Sequence, residues 1–143
     1  MFQSIQTREV VSVTKKGDSK KVILQCTNAA LEKKAKNIII LNIRGLSAFA
    51  DYMIICSGGS DRQVQAIASS IGENLKKSGI LPLGIEGEKF GKWVLMDYDD
   101  VIIHIFYEPT REFYDIERLW SDAPRMEVGD VDHELTSLDK GML

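Results

Sequence analysis

EGEKFGKWVLMDYDDVIIHIFYEPTREFYDIERLW, residues 86–120, is the stretch that decides the fold. It contains both tryptophans, three of the four tyrosines and three of the five phenylalanines. Two apolar runs, 93–96 and 101–107, flank a polar segment at 97–100 with turn chemistry, which predicts a β-hairpin. Because the second run is apolar at consecutive positions, we expect it inside a sheet that is covered on both sides.

After the hairpin, the pattern changes from that of a strand to that of a helix. Pro109 ends the second strand, and Thr110 is a candidate N-cap. From Arg111, apolar residues recur at spacings of three and four, which predicts one helix with these residues on one face. They are Phe113, Ile116 and Trp120, with Leu119 beside them. Ser121 and Pro124 end this helix.

The residues before this stretch alternate between helix and strand patterns. Near-helical spacing predicts a helix over about 20–36, although a start as late as Asn28 also fits. Apolar runs at 38–43 and 52–56 predict two strands. Ser60 and Gln63 form an S-x-x-Q capping box that begins a second helix.

The segment at 80–85 contains Pro82, so it is an edge strand or a loop. The complete element order predicts an α/β fold, a single domain with a mixed β-sheet packed with helices. A length of 143 residues suits one such domain. The longest apolar run is far shorter than the ~20 residues that span a bilayer, and the N-terminus has no secretory signal pattern, so we expect no membrane association.

Five motifs follow one another along the chain: LEKKAKNIIILNIRGLS at 31–47, DYMIICSGGSDRQVQAIA at 51–68, GIEGE at 84–88, WVLMDYDDVIIHIF at 93–106 and REFYDIERLW at 111–120. In this order they resemble the signature of the ribosomal silencing factor family, also called Iojap-like proteins. The resemblance covers roughly residues 28–122, which we interpret as the family domain. Residues 1–27 are then an N-terminal extension with the start of the first helix, and 123–143 an acidic, flexible tail.

The resemblance implies a fold like the core of nucleotidyltransferases without their catalytic motif. It implies a cytoplasmic regulator that binds the large ribosomal subunit through ribosomal protein fourteen. Bound there, such a factor blocks joining with the small subunit and represses translation when nutrients are scarce. Family members are expected to form homodimers and to need no cofactor or metal, and relatives in organelles act as adaptors in assembly of the large subunit.

The distribution of charge favours a basic protein as the partner. Residues 1–45 carry nine Lys/Arg against three Asp/Glu, whereas residues 86–122 carry four against ten. An acidic surface repels phosphate backbones, so we expect little direct contact with nucleic acid. The same surface attracts a Lys/Arg-rich protein, although a solvated acidic surface is the alternative explanation.

A metal-dependent nucleotidyltransferase is the main competing hypothesis. Gly59-Ser60 between a strand and a helix could hold a phosphate, and Asp97 with Asp99 could bind a divalent metal. However, Ser60 and Asp97 are 37 positions apart, whereas that class places the two elements roughly a dozen residues apart. Helix capping and turn formation explain these residues better, so no catalytic, cofactor-binding or metal-binding residue is predicted.

Two other residues could take part in chemistry. His104 lies on a strand face with Ile102 and Phe106, which is typical of a core histidine satisfied by one hydrogen bond. To act as a general base, His104 would need a carboxylate partner such as Asp51 or Glu86, or the thiol of Cys56 as the nucleophile that it activates. Cys26 and Cys56 are far apart in the sequence and favour free, buried thiols in a reducing compartment.

Six residues are predicted to form one rim that contacts the ribosomal protein. They are Glu86, Trp93, Asp97 and Asp100, extended on the last helix by Tyr114 and Glu117. Trp93 stands between a polar loop and an apolar strand, so it is either an interface anchor or a core residue.

Overall fold

The computed structural model describes residues 19–127 and shows an α/β domain with three α-helices and one mixed sheet in that range. Its elements are α1 Ser19–Glu32, β1 Lys36–Asn42, β2 Tyr52–Gly58, α2 Asp61–Lys77, β3 Gly84–Glu86, β4 Trp93–Asp97, β5 Val101–Tyr107, α3 Glu108–Tyr114, a 3₁₀ helix Ile116–Trp120 and β6 Arg125–Glu127. The predicted fold class is therefore confirmed. The acidic tail from residue 128 onward lies outside the described range.

The sheet has six strands in the order β3-β4-β5-β2-β1-β6. The central pair, β2 and β5, is parallel, and the remaining neighbours are antiparallel. Parallel neighbours need a long connection, which α2 and the β3–β4 hairpin supply. The order places β3 and β4 at one margin of the sheet and β6 at the other.

Helices α1 and α2 cover one face of the sheet, which we call the first face. Their apolar sides, including Val22, Ile23, Ile67 and Ile71, are buried against it. Helix α2 begins at the predicted capping box. The Ser60 hydroxyl accepts from the Gln63 N–H at 3.1 Å, and the Gln63 amide oxygen accepts from the Gly59 N–H at 2.6 Å. Within residues 19–127, no helix is long and apolar enough to cross a membrane.

Among residues 19–127, the opposite face, the second face, is covered only over β1, β2 and part of β5. There, the partly buried Ile116 and Trp120 and the buried Ala123 pack on a smaller core around Leu41 and Ile55. Strand β4 shows where the cover ends. Its first-face residues are fully buried, whereas Trp93, Leu95 and Asp97 on the second face stay partly exposed.

The prediction of one helix from Arg111 was wrong. Helix α3 begins at Glu108, so Thr110 lies inside it and does not cap it. It ends at Tyr114, and the left-handed backbone of Asp115 (φ 44°, ψ 51°) then turns the chain into the 3₁₀ helix. Aspartate tolerates this conformation better than most residues, so local chemistry overrides the apolar period. As a result Phe113 and Leu119 are 80% and 78% exposed and not in the core.

The described fold extends beyond both predicted domain boundaries. Helix α1 begins at Ser19 and buries Val22 and Ile23 before residue 28 is reached. It also ends at Glu32, earlier than predicted, and Lys34 follows with a left-handed φ of 61°. Beyond residue 122, β6 pairs with β1. The limits at 28 and 122 therefore stay a prediction about the family domain and are not edges of the folded unit.

Candidate functional site

The six predicted contact residues do not form one rim. Trp93 and Tyr114 are in contact, with ring centroids 4.9 Å apart. Asp97 and Asp100 lie at the other end of β4, which five residues of strand place ~13 Å away. Glu86 lies on β3 opposite Leu95, midway between these two ends. The predicted rim is thus an elongated surface along β4.

Trp93 is half-buried and combines the two roles that the sequence left open. Its ring packs on Phe106 with centroids 4.8 Å apart, and its indole N–H donates to Nδ1 of His104 at 3.0 Å. The remaining part of the ring stays exposed at the end of β4. Trp93 is therefore anchored on the second core and still accessible to a partner.

His104 is a core histidine, as the sequence predicts. It is 8% exposed, and burial lowers its pKa to about 4, so the imidazole is neutral at pH 7. Accepting from Trp93 at Nδ1 places the proton on Nε2. Neither carboxylate that could assist His104 as a base lies beside it. Leu95 stands between Glu86 and His104 in the sheet, and Asp51 comes before β2, four residues from the position that pairs with His104.

A thiol–imidazole pair does not form either. Cys56 lies opposite Ile105 in the sheet, so it points to the first face, whereas His104 points to the second. Cys26 and Cys56 are free and buried, and burial raises the pKa of the Cys56 thiol to about 12. A thiol with that pKa is a poor nucleophile at neutral pH.

The residues that could mimic a nucleotidyltransferase site lie at opposite ends of the sheet. Ser60 follows the last residue of β2, whereas Asp97 lies in the row of Ile102 and Met53, near the beginning of β2. Asp97 accepts the Asp99 N–H at 2.9 Å, so it stabilises the hairpin turn as predicted. Among residues 19–127, no group of three or more potential metal ligands occurs.

Glu117 is engaged within the chain. Its carboxylate accepts from Nε of Arg111 at 2.7 Å and lies 3.4 Å from Nη2 of Arg125. The sequence predicted a partner contact here, but this carboxylate links the 3₁₀ helix to its neighbours. An arginine six residues before Glu117 was a signal for this ion pair in the sequence. In the single continuous helix that we predicted, however, the two side chains would point to different sides of the helix.

Sequence reasoning missed part of the exposed apolar surface. Leu95 and Ile102 are partly exposed on the second face, Leu95 next to Trp93 on β4 and Ile102 on β5 opposite Asp97. Together with Tyr114 these side chains form what we call the open patch: Trp93, Leu95, Ile102 and Tyr114. Glu86 lies opposite Leu95 and Asp97 opposite Ile102, so the patch has one carboxylate on its β3 side and one at the hairpin end of β4.

The two layers of the domain carry opposite charges. Residues 19–36 and 61–79, which contain α1 and α2, have eight Lys/Arg and three Asp/Glu. Residues 84–127, which contain the open patch, have five against eleven. A partner that approaches the patch therefore meets a negative potential, which steers basic surfaces toward it.

Comparisons with known proteins place the chain in one family. A family model described as "Ribosomal silencing factor during starvation" matches residues 16–141. The Bacillus subtilis protein named Ribosomal silencing factor RsfS is 41% identical over 125 residues, which cover 87% of this chain and 98% of that protein. The protein of the same name from Halalkalibacterium halodurans is 41% identical over 104 residues, covering 73% and 89%. A solved Chromobacterium violaceum structure matches with a TM-score of 0.69 at 38% identity, covering 71% of this chain and 84% of that one.

Proposed function

Because the chain belongs to the ribosomal silencing factor family, we propose that it binds the large ribosomal subunit through ribosomal protein fourteen. Bound there, it obstructs joining with the small subunit and represses translation in the cytoplasm when nutrients are limiting. Obstruction needs only a stable complex, so the proposal assigns no catalytic step and no cofactor.

One observation carries the proposal: the open patch is an apolar surface with carboxylates on its flanks. A domain of this size covers most apolar sheet faces, and a partly exposed tryptophan in one surface with leucine and isoleucine is typical of a protein interface. The acidic layer around it favours a partner rich in Lys/Arg, as proteins that contact ribosomal RNA are.

The structure suggests a division of roles among the predicted residues. Trp93 and Tyr114 supply aromatic contact area, with Leu95 and Ile102 completing the apolar centre. Glu86, Asp97 and Asp100 lie along the margin and are proposed to pair with Lys/Arg of the ribosomal protein. Glu117 is proposed to act indirectly, because its carboxylate already pairs with Arg111 and Arg125.

A homodimer is a further part of the proposal. The motive is the apolar surface that lies outside the open patch, including the exposed Phe90 and Leu119, which a two-fold contact between copies could remove from water. Light scattering at micromolar concentration should then give twice the mass of the 16.1 kDa chain. A single species at the monomer mass would count against the dimer and leave the ribosomal proposal intact.

Sedimentation with purified ribosomal particles tests the main proposal. The protein should co-sediment with isolated large subunits, not with small subunits, and should lower the yield of joined ribosomes when it is added before mixing. Co-sedimentation without any effect on joining would favour the assembly adaptor. Absence from the large-subunit fraction would refute the proposal, and nucleotide turnover with magnesium would favour the enzyme.

A further inference from the structure

Arg111 is the centre of a polar cluster that joins the last segment of the domain to the sheet. Its side chain is only 11% exposed, although it lies on a surface helix. The guanidinium donates to the Glu117 carboxylate at 2.7 Å, to the Asn37 carbonyl oxygen at 2.8 Å and to the Ser57 hydroxyl at 2.7 Å. These partners belong to the 3₁₀ helix, β1 and β2, so one side chain ties three elements to α3.

Helix α3 needs this attachment because apolar burial does not supply one. None of its seven residues is buried, and the same is true of the 3₁₀ helix that follows. A short helix without a buried face is marginal in water unless other contacts hold it. Hydrogen bonds to a charged group that is shielded from solvent are stronger than most, and a planar guanidinium holds its acceptors in a defined geometry.

The position of α3 in turn determines the open patch. Tyr114, the last residue of α3, is half-exposed and packs on Trp93. One residue later the left-handed Asp115 turns the chain back, so that Ile116 and Trp120 reach the second core. Any shift of α3 relative to β2 therefore moves Tyr114 away from Trp93 and changes the shape of the patch.

We propose that Arg111 and Glu117 act as a clasp that positions Tyr114 on Trp93, so that the surface for the ribosomal partner is formed before binding. The inference rests on the proposed function for its role in binding. Arg111 is a positioning residue here, since its donors face the protein and not the partner. Preorganisation of this kind raises affinity by removing the cost of ordering a surface in the complex.

The test uses Arg111→Lys, which keeps the positive charge but loses the planar fork. Arg118→Lys is the matched control, because Arg118 lies in the same segment but is 84% exposed and pairs with the nearby Asp115. Affinity for large subunits should fall about tenfold for Arg111→Lys and change less than twofold for Arg118→Lys. Glu117→Gln should act in the same direction with a smaller loss.

A double-mutant cycle separates positioning from general destabilisation. If the clasp acts through Tyr114, Arg111→Lys should weaken binding little further in a Tyr114→Ala background, although it still lowers the melting temperature. Losses in affinity that multiply in the double variant would overturn the proposal. So would a folded Arg111→Lys protein that binds like the wild type.

A second readout does not depend on the ribosome. In a Trp120→Phe background, Trp93 is the single tryptophan of the chain, so the fluorescence emission reports how far the Trp93 ring is shielded from water. Tyr114→Ala and Arg111→Lys should each shift its emission to longer wavelength, and Arg118→Lys should not. If wild-type protein fails to bind large subunits, the proposed function fails, while this measurement still decides the clasp: an unchanged emission in Arg111→Lys refutes it.

Discussion

The two faces of the sheet differ in how completely they are covered, and β4 shows the difference within one strand. Val94 and Met96 point to the first face and are fully buried beneath the helical layer. Trp93, Leu95 and Asp97 alternate with them and remain partly exposed on the second face. The first face therefore supplies most of the stability, whereas the uncovered half of the second face is available for a partner.

The cover of the second face is also attached differently. The first face is sealed by apolar sides of α1 and α2, which bury many aliphatic residues in one cluster. The last segment relies on Ile116 and Trp120 together with the Arg111–Glu117 clasp. Polar attachment fixes geometry while burying little apolar area, which suits a segment that must present side chains outward.

The largest expected effect compares two neighbours on β4. Met96→Ala removes a fully buried side chain from the first core and should cost about 2–5 kcal/mol of unfolding free energy. Leu95→Ala removes a partly exposed side chain from the open patch and should cost about 1 kcal/mol or less. Urea unfolding of both variants measures the difference. Equal losses would show that the patch is covered as well as the first face is.

Protonation of His104 should destabilise the second face in mild acid. Its folded pKa of about 4 lies below the ordinary value of 6.5, so the unfolded chain takes up the proton first as the pH falls. The stabilisation is complete above about pH 6.5 and is lost progressively toward pH 4, by up to about 3 kcal/mol. The cationic form has an N–H at Nδ1 and cannot accept from Trp93.

Unfolding curves between pH 4 and 7.5 for wild type and His104→Gln measure this effect. Carboxylates contribute to both profiles, so the quantity of interest is the difference between the two proteins. That difference should shrink as the pH falls through the window. A constant difference would mean that His104 keeps its ordinary pKa and that the indole hydrogen bond does not depend on its neutral form.

Truncation of Trp93 should weaken binding more than truncation of the other tryptophan. Loss of an aromatic anchor typically costs 2 kcal/mol or more, so Trp93→Ala should weaken large-subunit binding about 30-fold. Trp120→Ala, on the covered half of the same face, should lower stability and weaken binding by a smaller factor, because Trp120 acts on the patch through the position of the last segment. Circular dichroism must first show that both variants fold, since both rings pack on the second core. Equal affinities for the two variants would contradict the assignment of the patch.

The smallest expected effect concerns the charged margin. Reversing two carboxylates, Asp97→Lys with Asp100→Lys, should slow association several-fold and reduce its dependence on salt. Glu32→Lys with Glu73→Lys is the matched control on the helical layer, which is far from the patch. Stopped-flow association with large subunits at two salt concentrations measures both. If the control slows binding as much, net charge and not the position of the carboxylates governs association.

Local sequence patterns predicted most of the elements that this comparison rests on. The apolar run at 93–96, the turn residues after it and the capping box at Ser60 all report on interactions within a few positions, and each was confirmed. The prediction of the last helix was wrong because it, too, rested only on a local pattern. Its apolar spacing was helical, but a left-handed Asp115 broke it, and no periodicity reveals the backbone angle of one residue.

The sequence by itself determined most of the helices and strands, the α/β class and the family, because periodicity, caps and linked motifs are all written in local order. Only the tertiary structure decided which side chains of β4 stay exposed, that Glu117 pairs with Arg111, and that Asp97 and Ser60 lie apart. These outcomes depend on strand order and on where the last segment turns back over the sheet. Pairings between residues distant in the chain set both, and a local pattern carries no information about them.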